Sequence, residues 1–178
     1  MDDNRQVIHD GKFLRYCKRG SWEYVERANV SGIVVIVPVT DAGELVLVEQ
    51  WRPPVLAHTV ELPAGLAGDT AEFAGESMLT AARRELLEET GYAAETLQLV
   101  GHGAPSAGLS DEVVTLVYAA GLRQVGEGGG DEHEDITVHR VPLPDVPAWM
   151  QAQAAAGKAV DLKIYAGLWV AAQAAAHS

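Results

Sequence analysis

The sequence predicts an α/β fold, a single domain with a mixed β-sheet sandwiched between helices and an N-terminal β-hairpin arm. Three observations predict it. Ile33–Val39 is a continuous run rich in β-branched residues, the pattern of a strand buried on both faces. Residues 75–90 switch to helical spacing, with Met78, Leu79, Ala82 and Leu86 recurring on one side and Gly91 placed to end the helix. The chain of 178 residues carries no internal repeat and no second-domain linker, and that length is enough to bury one core.

The elements follow in order. Residues 12–16 and 22–27 flank Arg19-Gly20-Ser21, a turn signal, and together read as the hairpin. After the central strand, Asp41–Gly43 is a turn and Glu44–Gln50 a second strand. Pro53-Pro54 interrupts the pattern; a short strand near Thr59–Leu62 precedes a loop at Pro63-Ala64-Gly65. Beyond the helix, strands are expected at Leu97–Gly101, Val113–Ala119 and Ile136–Val141, with Gly126–Gly130 forming a flexible loop before the last of them. Pro142 and Pro144 lead into a helix near Val146–Ala156, and an alanine-rich helix runs from about Leu162 to Ala176.

Composition narrows the function. The net charge of −12 repels nucleic-acid backbones, so no nucleic-acid partner is expected. No apolar run approaches the roughly 18–20 residues of a membrane span, and the polar start Met1–Arg5 is not a secretory signal. One cysteine, Cys17, excludes an internal disulfide and a cysteine-based zinc site. A cytoplasmic protein with no membrane partner is the expectation.

The stretch Arg83–Gly91 carries the chemistry. Glu85 and Glu89 are four residues apart, so they share one helix face, and Glu88 stands beside it. Like charges at that spacing cost about 0.2–0.5 kcal/mol per pair, and they crowd the end where the helix dipole is already negative. Spacing alone leaves two explanations: a solvated glutamate face balanced by Arg83 and Arg84, or a site for a divalent cation such as Mg²⁺ or Mn²⁺.

The wider pattern resembles a known signature. Glu76, then seven residues, then Arg84–Tyr92, with Glu61-Leu-Pro-Ala-Gly65 upstream, resembles the box of the Nudix hydrolases. One departure stands out: Leu66–Gly75 separates Gly65 from Glu76, an insertion of about five residues that includes Asp69 and Glu72. Trp22-Glu23, Glu49–Pro54, Pro105–Glu112, Gly130–Ile136 and Val160–Lys163 resemble the ADP-ribose and nucleoside diphosphate sugar branch of that family.

The resemblance implies a Nudix fold and metal-dependent hydrolysis of a diphosphate bond, giving a nucleoside monophosphate and a sugar phosphate. It implies Mg²⁺ or Mn²⁺ as cofactor, with Glu85, Glu89, Glu134 and the Ala64 carbonyl as ligands. By the same resemblance, Glu132 or Glu134 would be the general base, Arg84 would brace the glutamates, and Glu88 would bind metal or support Arg84. Trp22 would stack on the base, Arg52 would contact the diphosphate, and Arg27 and Glu112 would touch the substrate. A homodimer is implied too, with residues 1–30 as an arm exchanged between subunits.

Blander readings stand beside these: Trp22 as packing, Arg52 as a surface ion pair, and Asp131–Asp135 as a solvated acidic loop. Two other functions remain open. One is a pyrophosphatase acting on nucleoside triphosphates, dinucleoside polyphosphates or coenzyme A. The other is a non-catalytic ligand-binding module of the same fold.

Overall fold

The computed structural model describes residues 4–68, 72–130 and 134–176. The chain runs β1 (Arg5–Asp10), β2 (Leu14–Arg19), β3 (Trp22–Arg27), β4 (Gly32–Pro38), β5 (Glu44–Arg52), β6 (Ala57–Glu61) and β7 (Ala64–Ala67). It continues with α1 (Met78–Thr90), β8 (Tyr92–Gly103), β9 (Val114–Gln124), β10 (Thr137–Pro142), α2 (Val146–Ala155), β11 (Ala159–Val160) and α3 (Lys163–Ala176). The strands form three sheets, in the orders β1-β2-β3, β10-β5-β6-β11 and β7-β4-β9-β8.

The β-branched run does what its composition requires. In β4, Val34 and Ile36 point into a core shared with Ala81, Ala82 and Leu86 of α1. The alternate residues Val35 and Val37 join a second core with Leu62, Met150 and Ile164, beneath α2 and α3. Both faces of the strand are therefore buried, so side chains of opposite pleat build separate cores. β5 divides in the same way, with Val46 in the first core and Leu45 and Leu47 in the second.

Several elements differ from expectation, among them the short β11, which pairs parallel with β6. The arm is a three-stranded sheet, because Arg5–Asp10 adds antiparallel to β2. Every residue of that strand is exposed, so it has no apolar alternation to mark it; its pairing is a matter of backbone. Ala64–Ala67 is a strand paired with Gly32–Val35, not a loop. β8 begins at Tyr92 because the left-handed Gly91 (φ 72°) turns the chain straight from helix into strand.

The glycine-rich segment differs as well. The Gly126–Gly130 backbone lies against the end of α1, where Gly129 N–H donates to Glu89 O at 2.9 Å and Gly130 N–H to Glu88 O at 3.0 Å. A Cβ on Gly128 would stand 2.5 Å from the Thr90 carbonyl carbon. These glycines permit close approach, and they satisfy carbonyls that a helix end leaves open.

Candidate active site

Each functional side chain is placed by a local rule. Ser77 caps α1, its hydroxyl accepting from Thr80 N–H at 3.1 Å, which fixes where the helix starts and hence its rotation. Leu86, Ala81 and Ala82 turn inward, which brings Glu85 and Glu89 toward β7 and leaves Glu88 more exposed. β7 passes directly over them: a Cβ on Gly65 would lie 1.9 Å from the Glu85 carboxyl carbon. A side chain there would have to displace the Glu85 carboxylate.

Arg84 is the centre of the arrangement. Its Nη1 donates to Glu85 Oε1 at 2.7 Å and to Glu88 Oε2 at 3.1 Å. Its Nη2 donates to the Leu66 carbonyl at 3.0 Å and to Glu76 Oε1 at 2.9 Å. The guanidinium also lies over the Phe73 ring at 4.2 Å, a cation–π contact supplied by the inserted segment. Glu89 Oε2 accepts from Ala64 N–H at 3.1 Å.

Two further ion pairs lie nearby. Arg52 holds buried Glu61 with two hydrogen bonds, Nε to Oε1 at 2.6 Å and Nη2 to Oε2 at 3.0 Å. Arg27 Nε bonds Glu112 Oε1 at 2.7 Å. The arm is pinned to this region by Val25 N–H, which donates to Leu109 O at 2.9 Å, and by Asp111 N–H, which donates to Val25 O. Arg27, Arg52, Glu61 and Glu112 line one cleft of about 710 Å³ with Arg84, Glu85, Glu88, Glu89, Glu134 and Lys163.

The cleft is short of positive charge. Burial first, and then Glu85 and Glu134, push the Glu89 carboxyl up to about 9 despite the Ala64 N–H. Burial likewise raises Glu85 to about 7, with Glu88 and Glu134 adding to it and Arg84 opposing. Carboxylates packed this way need a cation, and an all-oxygen donor set suits a hard divalent ion. Among the described residues no three acidic, histidine or cysteine side chains are gathered as a ready-made ion site. Glu85 and Glu88 face Arg84 instead, and Glu89 faces the Ala64 amide.

Of the residues singled out from sequence, Ala64, Arg84, Glu85, Glu88, Glu89, Arg52, Arg27, Glu112 and Glu134 come together in this cleft. Trp22 does not. It is 60% exposed on the arm and absent from the cleft wall of its own chain. Glu132 lies outside the described residues, as do Asp131, His133 and Asp69. Sequence reasoning passed over three participants: Glu61 as partner of Arg52, Glu76 as partner of Arg84, and Phe73 as its cover. The two glutamates stood inside the quoted motifs; nothing in spacing signals Phe73.

Comparison with known proteins gives the family. The chain is 35% identical over 115 residues to a methanol dehydrogenase activator from Bacillus methanolicus and 37% identical over 115 residues to an ADP-ribose pyrophosphatase from Bacillus subtilis. Each alignment covers 64% of this chain and 60% of the relative, so the chain spans under two thirds of those proteins' length. A crystal structure titled ADP compounds hydrolase shares the fold, with a TM-score of 0.63 and 22% identity over 82% of this chain and 80% of that one. The model of the NUDIX domain matches residues 30–163, the span from the edge of β4 to the first residue of α3, and the chain belongs to that family.

Proposed function

We propose that this protein hydrolyses the diphosphate bond of ADP-ribose or a nucleoside diphosphate sugar, releasing a nucleoside monophosphate and a sugar phosphate. One observation carries the reading: the crowded carboxyls of buried Glu89 and half-buried Glu85 open on the same cleft as Arg52, Arg27 and Glu112. A cation-demanding end and a polar wall beyond it are what a diphosphate joining two organic halves requires. The matched pyrophosphatase from Bacillus subtilis supports the substrate class.

Nudix hydrolases generally use divalent metal ions. Here Glu85, Glu89 and Glu134, with the Ala64 carbonyl, would hold Mg²⁺ or Mn²⁺, which when bound neutralises phosphate charge and acidifies water. The chain's own side chains do the rest. Arg84 keeps Glu85 and Glu88 aligned through its hydrogen bonds to both. Arg52 meets the diphosphate, and Arg27 with Glu112 borders the nucleoside end. Glu134 or Glu132 takes the proton from the attacking water.

A homodimer is also proposed. Val7, Ile8, Phe13, Leu14 and Trp22 are apolar side chains that one chain leaves exposed on the arm, and Trp22 would reach a partner's base-binding pocket. Cytoplasmic residence is supported by the single, buried Cys17. No helix among the described residues is long and apolar enough to cross a membrane.

The test is product analysis on ADP-ribose, nucleotide sugars, nucleoside triphosphates and coenzyme A with Mg²⁺ or Mn²⁺. Monophosphate release from the first two groups is expected, falling by more than about 100-fold in Glu89→Gln. Strong preference for triphosphates would move the assignment to a different pyrophosphatase. Absence of turnover on every compound would leave a binding module.

A further inference from the structure

We infer that Glu61 is a positioning residue: it clamps Arg52 by one edge, keeps it off the carboxylates of the metal end, and presents its other edge to the diphosphate. The inference rests on the hydrolase reading and adds a residue to it.

The geometry is specific. Glu61 is 6% exposed at the end of β6, and Arg52 stands at the end of neighbouring β5, paired in register with Ala57. The carboxylate takes Nε and Nη2 of the guanidinium, two of its five N–H donors, in the forked arrangement that only arginine offers. The Nη1 edge remains for the cleft that both residues line. A planar group held at one edge cannot swing, so its free donors stay aimed.

The clamp has a second consequence. Arg52 feels the charge of Glu89 and Glu134 across the cleft. An unclamped arginine would be drawn to those carboxylates and would occupy the space a cation needs. Glu61 outcompetes them with a two-point, buried bond. Glu61 thereby keeps two positive groups, an arginine and a metal ion, at separate stations along one acidic cleft.

Titration with Mn²⁺ alone and steady-state kinetics on ADP-ribose together test this. Glu61→Gln is expected to weaken Mn²⁺ binding about 10-fold and to lower kcat/KM by about 10- to 100-fold, mostly through KM. In the double variant Glu61→Gln with Arg52→Ala, Mn²⁺ affinity is expected to return to the wild-type value, because the competing arginine is gone. A merely structural loss would persist in that background. Wild-type Mn²⁺ affinity and kcat/KM in Glu61→Gln, or no recovery in the double variant, overturns the clamp.

Arg52→Lys gives a test that leaves Glu61 in place. One ammonium cannot serve both Glu61 and substrate, so Lys is expected to lose as much kcat/KM as Ala; rescue by Lys overturns the orientation argument. If the wild type binds Mn²⁺ yet hydrolyses nothing, the hydrolase reading falls, and the Mn²⁺ titrations still decide the clamp.

Discussion

Glu89 shows how a single residue can trade stability for a binding site. It is 3% exposed, and without a cation its carboxyl sits at about 9, with Glu85 at about 7, against an ordinary value of 4.5. Both folded values are raised, so the neutral carboxyls favour the folded state fully below about pH 4.5. That advantage fades as pH rises through about 7 and then about 9. In EDTA the melting temperature is therefore expected to fall between about pH 5 and about pH 9, and Glu89→Gln to fall less, overtaking the wild type at the alkaline end. Identical pH profiles for the two proteins would contradict this origin of the shift. Conversely, Mg²⁺ binding near pH 7 is expected to release protons, read by calorimetry in buffers of different ionisation enthalpy.

At the scale of elements, α1 and the glycine segment behave as one unit. Gly91 has φ 72°, and a Cβ there would lie 2.3 Å from Gly126 O and 2.7 Å from Gly128 N. Gly91→Ala thus meets both backbone strain and a clash with the segment that leads to Glu134. A loss of more than about 1 kcal/mol is expected, with reduced turnover at temperatures where the variant is folded. Ser77→Ala, at the other end of the helix, is expected to cost about 1 kcal/mol with little change in kcat. Equal effects of the two on kcat, measured alongside thermal melts, would separate Glu134 from the helix end.

These elements were unequally legible. The carboxylate face of α1 and the double-sided β4 could be read directly, because periodicity reports which side of an element is buried. The docking of Gly126–Gly130 could not, since glycine signals freedom and close approach alike and only the neighbouring helix end distinguishes them. The Arg52–Glu61 pair was hidden for a related reason: residues nine apart on adjacent strands meet only once the β5–β6 register is known. Trp22 was marked only by resemblance as a base-stacking aromatic, with packing as the alternative, and its own chain gives it no place in the cleft.

For the whole molecule, the arm is the open question of assembly. Buried Glu26 is held well down, at about 2, chiefly by hydrogen bonding to Arg5, with Tyr24 Oη also donating at 2.8 Å. This latch ties β1 to β3, so the arm carries its own internal fastening. Sedimentation is expected to show a species of twice the 18.9 kDa chain mass, and Phe13→Glu with Trp22→Glu to shift it toward monomer while leaving the melting of the body nearly unchanged. A wild-type chain that sediments as a monomer at micromolar concentration would remove the exchanged-arm proposal.

The two faces of β4 have a further meaning. One strand supplies the floor for the carboxylate helix through Val34 and Ile36 and for the α2–α3 side through Val35 and Val37. The two cores therefore have a common foundation, and neither can be loosened without the other. A cavity cut into either core is expected to be felt on both sides of β4, whereas a change in the loops, the arm or the Phe73 segment stays local.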